Sequence, residues 1–431
     1  MTEEADPKRI DAEPTKELFV DVLTKDIPLS RAILDLVDNS IDGARRVRPQ
    51  GAYDGLSVRV TVSPTEFRIT DNCGGIPPET ARRYAFKFGR DPKSPPTPHS
   101  VGQFGVGMKR AFFKLGRHFS IESSTETTRF SIDVNVADWL KLPGWQFAFA
   151  ELDESAVVPA GDIGTRITVS GLHDAVAGEF GLGNFVSQLA IQIRAAHEVS
   201  IERGLAISLN GVPVGFEPSR LLQTDEIKPS FKHLVLGEVE PVDVRIAAGL
   251  NSSSPLEAGW YVFCNGRLVV RADQTSLTGW GEDEPSIPRY HNQFSRFRGF
   301  VFFDCDNAGK LPWNTTKTGV DTDSEMFIAA KQEMLIQMRE VLDFINSVKD
   351  AEITLEDLLT NASAVGPSAV AAESRFVTPA IPRTIRPSTT TISYSRPTAE
   401  VDVAKRLLSV SSNKQVGERT FQYFLSREGD E

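Results

Sequence analysis

Between Thr15 and about Gly171 the spacing of apolar residues switches repeatedly between the period of a helix and that of a strand. Helices layered on a mixed sheet have this pattern; a pure helix bundle or a β-sandwich does not. After Pro28 and Ser30, Ile33, Leu36, Val37, Ile41 and Ala44 recur at helical spacing, predicting a helix over 31–47. Strands over 56–62 and 67–70, joined by Ser63, Pro64 and Thr65, read as a hairpin. Gly, Pro and Ser crowd the segment from 89 to 107, which reads as a mobile loop opening into a helix over 106–115. Strands follow over 119–122, 130–134, 147–150 and 165–169. A helix over 185–202 then leads to a hairpin turning at Asn210-Gly211.

The chain has 431 residues, 40% of them apolar, enough for two or three cores. A second domain is expected to contain strands over 260–263, 267–271 and 300–303 and a helix over 324–349. Beyond Asn361 the composition shifts to Ala, Ser, Thr and Pro, as in a linker, and 401–425 is too small to build its own core. With 47 Lys and Arg against 58 Asp and Glu, the net charge of −11 argues against nucleic-acid binding through bulk charge. DNA contact remains possible only through a local surface. Cys73, Cys264 and Cys305 form no CxxC pair, so neither a disulfide framework nor a structural zinc site is expected. No apolar leader or membrane-length run occurs, and a cytoplasmic protein that does not span a membrane is the expectation.

Four short patterns carry chemistry. Asp35, Asn39 and Asp42 stand at i, i+4 and i+7 on one helix stripe, where an Asn oxygen can help hold a hydrated Mg²⁺ beside a carboxylate. The ordinary reading of such a stripe is a solvated acidic face. Asp71 ends a strand before Cys73-Gly74-Gly75-Ile76, so a carboxylate there can accept from an exocyclic amine while the glycines admit a base; a plain turn is the alternative. Gly102, Gly105, Val106, Gly107, Met108 and Lys109 lead into a helix whose free N–H groups face phosphates, with Lys109 adding charge. This is not a Walker loop, because Met108 intervenes before the lysine, and taken alone it could equally be structural. Gly164-Thr165 opens a strand and fits a hydroxyl beside a bound base, or an ordinary strand-start Thr.

In this order and spacing the residues resemble the GHKL ATPases, whose members include gyrase, heat-shock chaperones, histidine kinases and mismatch-repair proteins. The run Asp35-Leu36-Val37-Asp38-Asn39-Ser40-Ile41-Asp42 looks like their N box, Asp71 to Ile76 like the G1 box, Gly102 to Lys109 like the G2 box, and Gly164-Thr165 like the late Gly-Thr. The resemblance implies an α+β chain: a two-layer Bergerat ATP-binding sandwich followed by a smaller α/β transducer-like domain, closest to MORC-like members. It implies ATP with Mg²⁺, Asp35 as general base and Asn39 as metal ligand. Asp42, Asp71, Gly75, Ile76, Gly102, Gly105, Val106, Gly107, Met108, Lys109 and Thr165 would bind nucleotide. Tyr261 to Val269 looks like the transducer strand-turn-strand, and Leu311 to Lys317 resembles the loop whose lysine reaches the γ-phosphate, making Lys317 the sensor.

The implied organisation is an arm over 1–14, an ATP-binding domain over 15–220, a transducer-like domain over 221–350, a linker over 351–400 and a docking segment over 401–431. The implied activity is ATP hydrolysis driving closure of an ATP-dependent homodimer, with a protein partner possible through 401–431. Two positions depart from the pattern. The base is usually Glu, and Asp35 is shorter by one methylene, about 1.5 Å of reach, which leaves room for a nucleotide-gated module without turnover. Cys73 replaces the usual first Gly of the G1 box.

Overall fold

The computed structural model describes residues 14–89, 93, 97–102, 105–216, 219–284, 286–349, 351–370, 374–381 and 390–428. The arm expected over 1–14 therefore lies outside the described residues except for Pro14, as do parts of the 89–107 loop and of the 351–400 stretch. Two compact units occur, Met1–Pro382 and Arg383–Glu431.

The fold is mixed α+β. The predicted first helix is α1 (Leu29–Val47), which buries Ala32, Ile33, Leu36, Val37, Ile41 and Ala44 at helical spacing. The first hairpin is β1 (Ser57–Val62) and β2 (Glu66–Asp71), with Val58, Val60 and Val62 buried on alternate positions. Ser63 Oγ accepts from Glu66 N at 3.1 Å and closes the turn. The glycine-rich segment enters α2 (Gly107–Leu115), and α1 packs on α2. Then come β3 (Gly116–Ser124), β4 (Arg129–Asn135), β5 (Phe149–Asp153) and β6 (Gly164–Leu172).

The helix expected over 185–202 is two helices, α3 (Gly183–Ala196) and α4 (Glu198–Glu202), with the break at His197. The His197 side chain is 1% exposed. After the break come β7 (Ala206–Leu209) and β8 (Val212–Pro213), joined through Asn210 and Gly211, both at positive φ as a two-residue hairpin requires. Among the described residues these eight strands form one sheet in the order β5-β4-β3-β6-β2-β1-β7-β8, with only the β1–β7 pair parallel. An aromatic group of Phe19, Phe88, Phe113, Trp139 and Trp145 closes one end of its core.

A second sheet contains β9 (Leu221–Gln223), β10 (Ser230–Leu236), β11 (Val242–Leu250), β12 (Gly259–Cys264), β13 (Arg267–Asp273), β14 (Phe297–Asp304) and β15 (Ser363–Val365). All six residues of β12 are buried, as expected of a strand covered on both faces. One face meets α5 (Glu325–Lys349) through Phe327, Met334, Met338 and Val341. The other face, with Tyr261, Phe263, Phe300 and Phe302, packs on Ala195 of α3 and Val199 of α4. Residues 363–365 pair with β9, and Ser374 and Val377 bridge to Phe231 and Lys228, so part of the proline-rich stretch lies on this sheet.

The second unit is a helical hairpin of α6 (Thr398–Leu408) and α7 (Asn413–Glu428), with Ser409 in the left-handed region ending α6. No helix among the described residues is long and apolar enough to cross a membrane.

Candidate active site

The acidic stripe of α1 does not face solvent. Asp35, Asp38 and Asp42 are buried because α2, the 97–102 segment and the second sheet cover the face that carries them. Asp35, Asn39, Asp42, Asp71, Gly75, Ile76, Gly102, Gly105, Gly107, Met108, Lys109, Thr165 and Lys317 all line one cavity of about 1220 Å³. Val106 stands just behind it, preceding α2 and packed on the first core.

At one end of the cavity, Asp71 Oδ2 accepts from Ser40 Oγ at 2.7 Å and Oδ1 from Cys73 N at 2.9 Å. Burial nonetheless pushes its carboxyl above the ordinary range, partly offset by those bonds. The turn after it works with Cys73 in place of a glycine because Gly74 and Gly75 take the positive φ values. A Cβ at Gly75 would lie 2.1 Å from Ser124 O, so β3 approaches too closely for any other residue. Ile76 N donates to Ser123 Oγ at 2.8 Å, and that hydroxyl lies 3.1 Å from Thr165 Oγ1, placing the threonine directly across from Asp71 on the neighbouring strand. Burial beside Asp71 raises the Cys73 thiol and leaves it protonated.

At the other end, α2 begins over Asp35, where a Cβ at Gly107 would stand 2.8 Å from Asp35 Oδ2. Two cations flank the same carboxylate, Arg110 Nη2 at 3.6 Å and Lys317 Nζ at 3.4 Å. Lys109, 2% exposed, donates to Ala85 O at 3.1 Å, and burial lowers its ammonium to about 7. Asn39 Nδ2 is buried without a hydrogen-bond partner, and the residue lines the cavity. Asp42 has its oxygens occupied by Ser100 Oγ (2.9 Å), Val101 N (2.8 Å) and Gly102 N (2.7 Å). Its observed task is to hold the segment that lines the cavity.

Reading the sequence assigned no role to Asp38, Arg267 or His197. Asp38, with no exposed surface, receives Lys317 Nζ at 2.7 Å and an ion contact from Arg267 Nε at 3.0 Å, with His197 Nε2 at 3.6 Å. Burial opposes its ionisation, yet Arg267, Lys317 and His197 hold its carboxyl well below the usual range. The same burial and the Arg267 charge lower His197 to about 3, so it is neutral near pH 7. For Lys317 burial works against the charge, but Asp38 and Asp35 outweigh it and raise the ammonium. Asp38 stood inside the run from Asp35 to Asp42 and Arg267 inside that from Tyr261 to Val269, whereas His197 had no sequence signal.

Residues 27–158 match the family described as Histidine kinase-, DNA gyrase B-, and HSP90-like ATPase. The match covers under a third of the chain, from just before α1 through β5, and supports a GHKL-type ATPase domain there, with ATP binding and ATPase activity as the family's general property. No curated protein matches the chain.

Proposed function

We propose that the chain binds ATP in the cavity between α1, α2 and the first sheet, hydrolyses it, and uses occupancy to drive closure of two copies, as a gyrase- or MORC-type switch with a transducer-like second sheet. The observation that supports this is the convergence, on one cavity, of a half-buried carboxylate at a strand end (Asp71), a Gly-opened helix start (Gly107), an amide whose nitrogen is unpartnered (Asn39) and a cation from the second sheet's side (Lys317). In this reading Asp71 accepts from the adenine amine, Thr165 and Ser40 border the base, and the N–H groups opening α2 face the phosphates. Lys109 would gain a counter-charge from them.

Asn39 fits a magnesium ligand through its amide oxygen, Oδ1, on a residue that lines the cavity; a bound Mg²⁺ would supply charge neutralisation of the phosphate oxygens. Among the described residues no group of three His, Cys, Asp or Glu could hold a metal by itself, so such an ion would take most ligands from phosphate and water. Asp35 would orient and deprotonate the attacking water, and Lys317 would leave Asp38 for the terminal phosphate.

A second reading, nucleotide-gated binding without turnover, is favoured by Asp35 itself: its side chain is one methylene shorter than the usual glutamate, and Lys317 and Arg110 stand 3.4 and 3.6 Å from its oxygens, where the attacking water would have to sit. Partners beyond a second copy, through 401–431 or DNA, belong to the same proposal. Calorimetry with Mg·ATP tests the core of it: uptake by the parent that is lost in Asp71→Asn is expected, and no uptake by the folded parent would sink it. Single-turnover hydrolysis separates the two readings, and sizing with and without the β,γ-imido analogue tests closure.

A further inference from the structure

We infer that Asn265, in the turn between β12 and β13, is a positioning residue for the cavity loop: it tethers Ser100–Gly102 to the second sheet and so sets where the nucleotide-facing glycine stands. This rests on the ATP reading of the cavity and assigns the second sheet a contact with it that is separate from Lys317.

The segment Ser100–Gly102 is held from two sides. From α1, the single carboxylate of Asp42 takes Ser100 Oγ, Val101 N and Gly102 N, all within 2.9 Å. From the second sheet, Asn265 Nδ2 donates at 3.0 Å to Ser100 O. That amide is itself fixed, since Nδ2 also donates to Cys305 O at 3.0 Å and Oδ1 accepts from Cys305 N at 2.9 Å. Every polar atom of the Asn265 side chain is thus used, and the residue is 2% exposed. Arg45 of α1 adds a second brace, donating to the carbonyls of both His99 and Asn265. Val101 completes the tether: its side chain, 1% exposed, packs in the core of the second sheet and not in that of the first.

The tether ends at the cavity. Gly102 lies where a Cβ would be 3.4 Å from Asn39 Oδ1 and 2.9 Å from Asp42 Oδ2, so its position is read directly against the proposed metal ligand. A shift of the β12–β13 turn therefore moves Gly102 relative to Asn39, whatever Lys317 does. Asn265 also needs its own backbone: its φ of +47° is a region that asparagine tolerates better than most side chains.

The test compares the full-length parent with Asn265→Ala, Asn265→Gly and Val262→Ala. The glycine variant removes the amide without left-handed strain, and Val262→Ala loosens the core that Val101 shares while leaving the Asn265 amide and its hydrogen bonds in place. In ligand-free protein, hydrogen exchange at the Val101 and Gly102 amides, which donate to Asp42 and not to Asn265, should rise about tenfold in both Asn265 variants and stay at the parent rate in Val262→Ala. Calorimetry with Mg²⁺ and the β,γ-imido analogue of ATP should show affinity weakened about tenfold in the Asn265 variants alone. Unchanged exchange overturns the tether, and so does a rise of the same size in Val262→Ala. Raised exchange with parent-like affinity overturns the positioning role. A parent that takes up no nucleotide overturns the ATP reading and the positioning role together, and the exchange comparison then decides the tether alone.

Discussion

Lys317 Nζ donates to Asp38 Oδ2 at 2.7 Å and stands 3.4 Å from Asp35 Oδ1, so one ammonium is shared by two carboxylates one helical turn apart on α1. The lysine reaches them from the loop ahead of α5, at a positive φ of 52° and 5% exposed. Arg267 is the second cation on Asp38. If a nucleotide phosphate drew Lys317 away, as proposed, Asp38 would keep Arg267 and Asp35 would keep Arg110. Under the proposed function, sensing by Lys317 and the action of Asp35 as base would be linked through that single side chain.

Lys317→Met tests that arrangement in the ligand-free chain. Removing one partner from a buried ion pair costs about 3–5 kcal/mol, and the remaining Arg267 contact should hold the loss to about 2–3 kcal/mol. Urea denaturation measures it. A variant as stable as the parent would show that the lysine contributes nothing to the buried cluster.

Asp35→Asn keeps shape and removes the carboxylate proposed as the base. Steady-state phosphate release should fall at least about 100-fold, the usual contribution of general base catalysis, while Mg·ADP affinity stays within a few-fold because the base end of the cavity is untouched. Turnover equal to the parent's would take the base role from Asp35.

The order of elements in the first module was readable because its apolar residues keep clean periods: Ile33, Leu36, Val37 and Ile41 on α1, Val58, Val60 and Val62 on β1. The family match over 27–158 coincides with that readable stretch. What helical spacing could not convey was the surroundings of the polar stripe. Asp35 and Asp42 share a face by geometry, but whether that face meets water or a second sheet depends on residues far along the chain. Asp42 illustrates this: the family resemblance implied a nucleotide contact, and its oxygens are occupied by Ser100, Val101 and Gly102. The contacts of Arg267 and His197 were unreadable for the same reason, since these residues reach Asp38 only because Val199 and Ala195 pack on Tyr261, Phe263 and Phe300. The break at His197 has no Gly or Pro to announce it. The strands β9 and β15 are three residues each, too short to show a period.

His197 makes stability fall on acidification. Its folded-state value of about 3 lies below the ordinary 6.5, so between the two the unfolded chain binds the extra proton. Stability from this group is present in full above about pH 6.5 and is lost as pH drops toward 3. At pH 4.5 the loss relative to pH 7 should be on the order of 2 kcal/mol. Thermal melts of parent and His197→Gln across this window check it, and a parent slope no steeper than the variant's would show that His197 is not held neutral.

Lys109 should make nucleotide uptake depend on pH in the opposite sense. Burial lowers its ammonium from 10.5 to about 7, so at pH 8 most of the ligand-free protein carries it neutral. A phosphate beside it restores the charge and raises the value, and binding then takes up a proton. Affinity should therefore be greatest below pH 7 and decline as pH rises through the window above it. Calorimetry at pH 8 in two buffers of different ionisation enthalpy should register roughly half to one proton absorbed per Mg·ATP bound. Lys109→Met, which keeps the aliphatic packing, should bind more weakly with the proton uptake gone and the pH slope flattened. Proton uptake that persists undiminished in the variant would move the linkage to another group and take Lys109 out of contact with the phosphates.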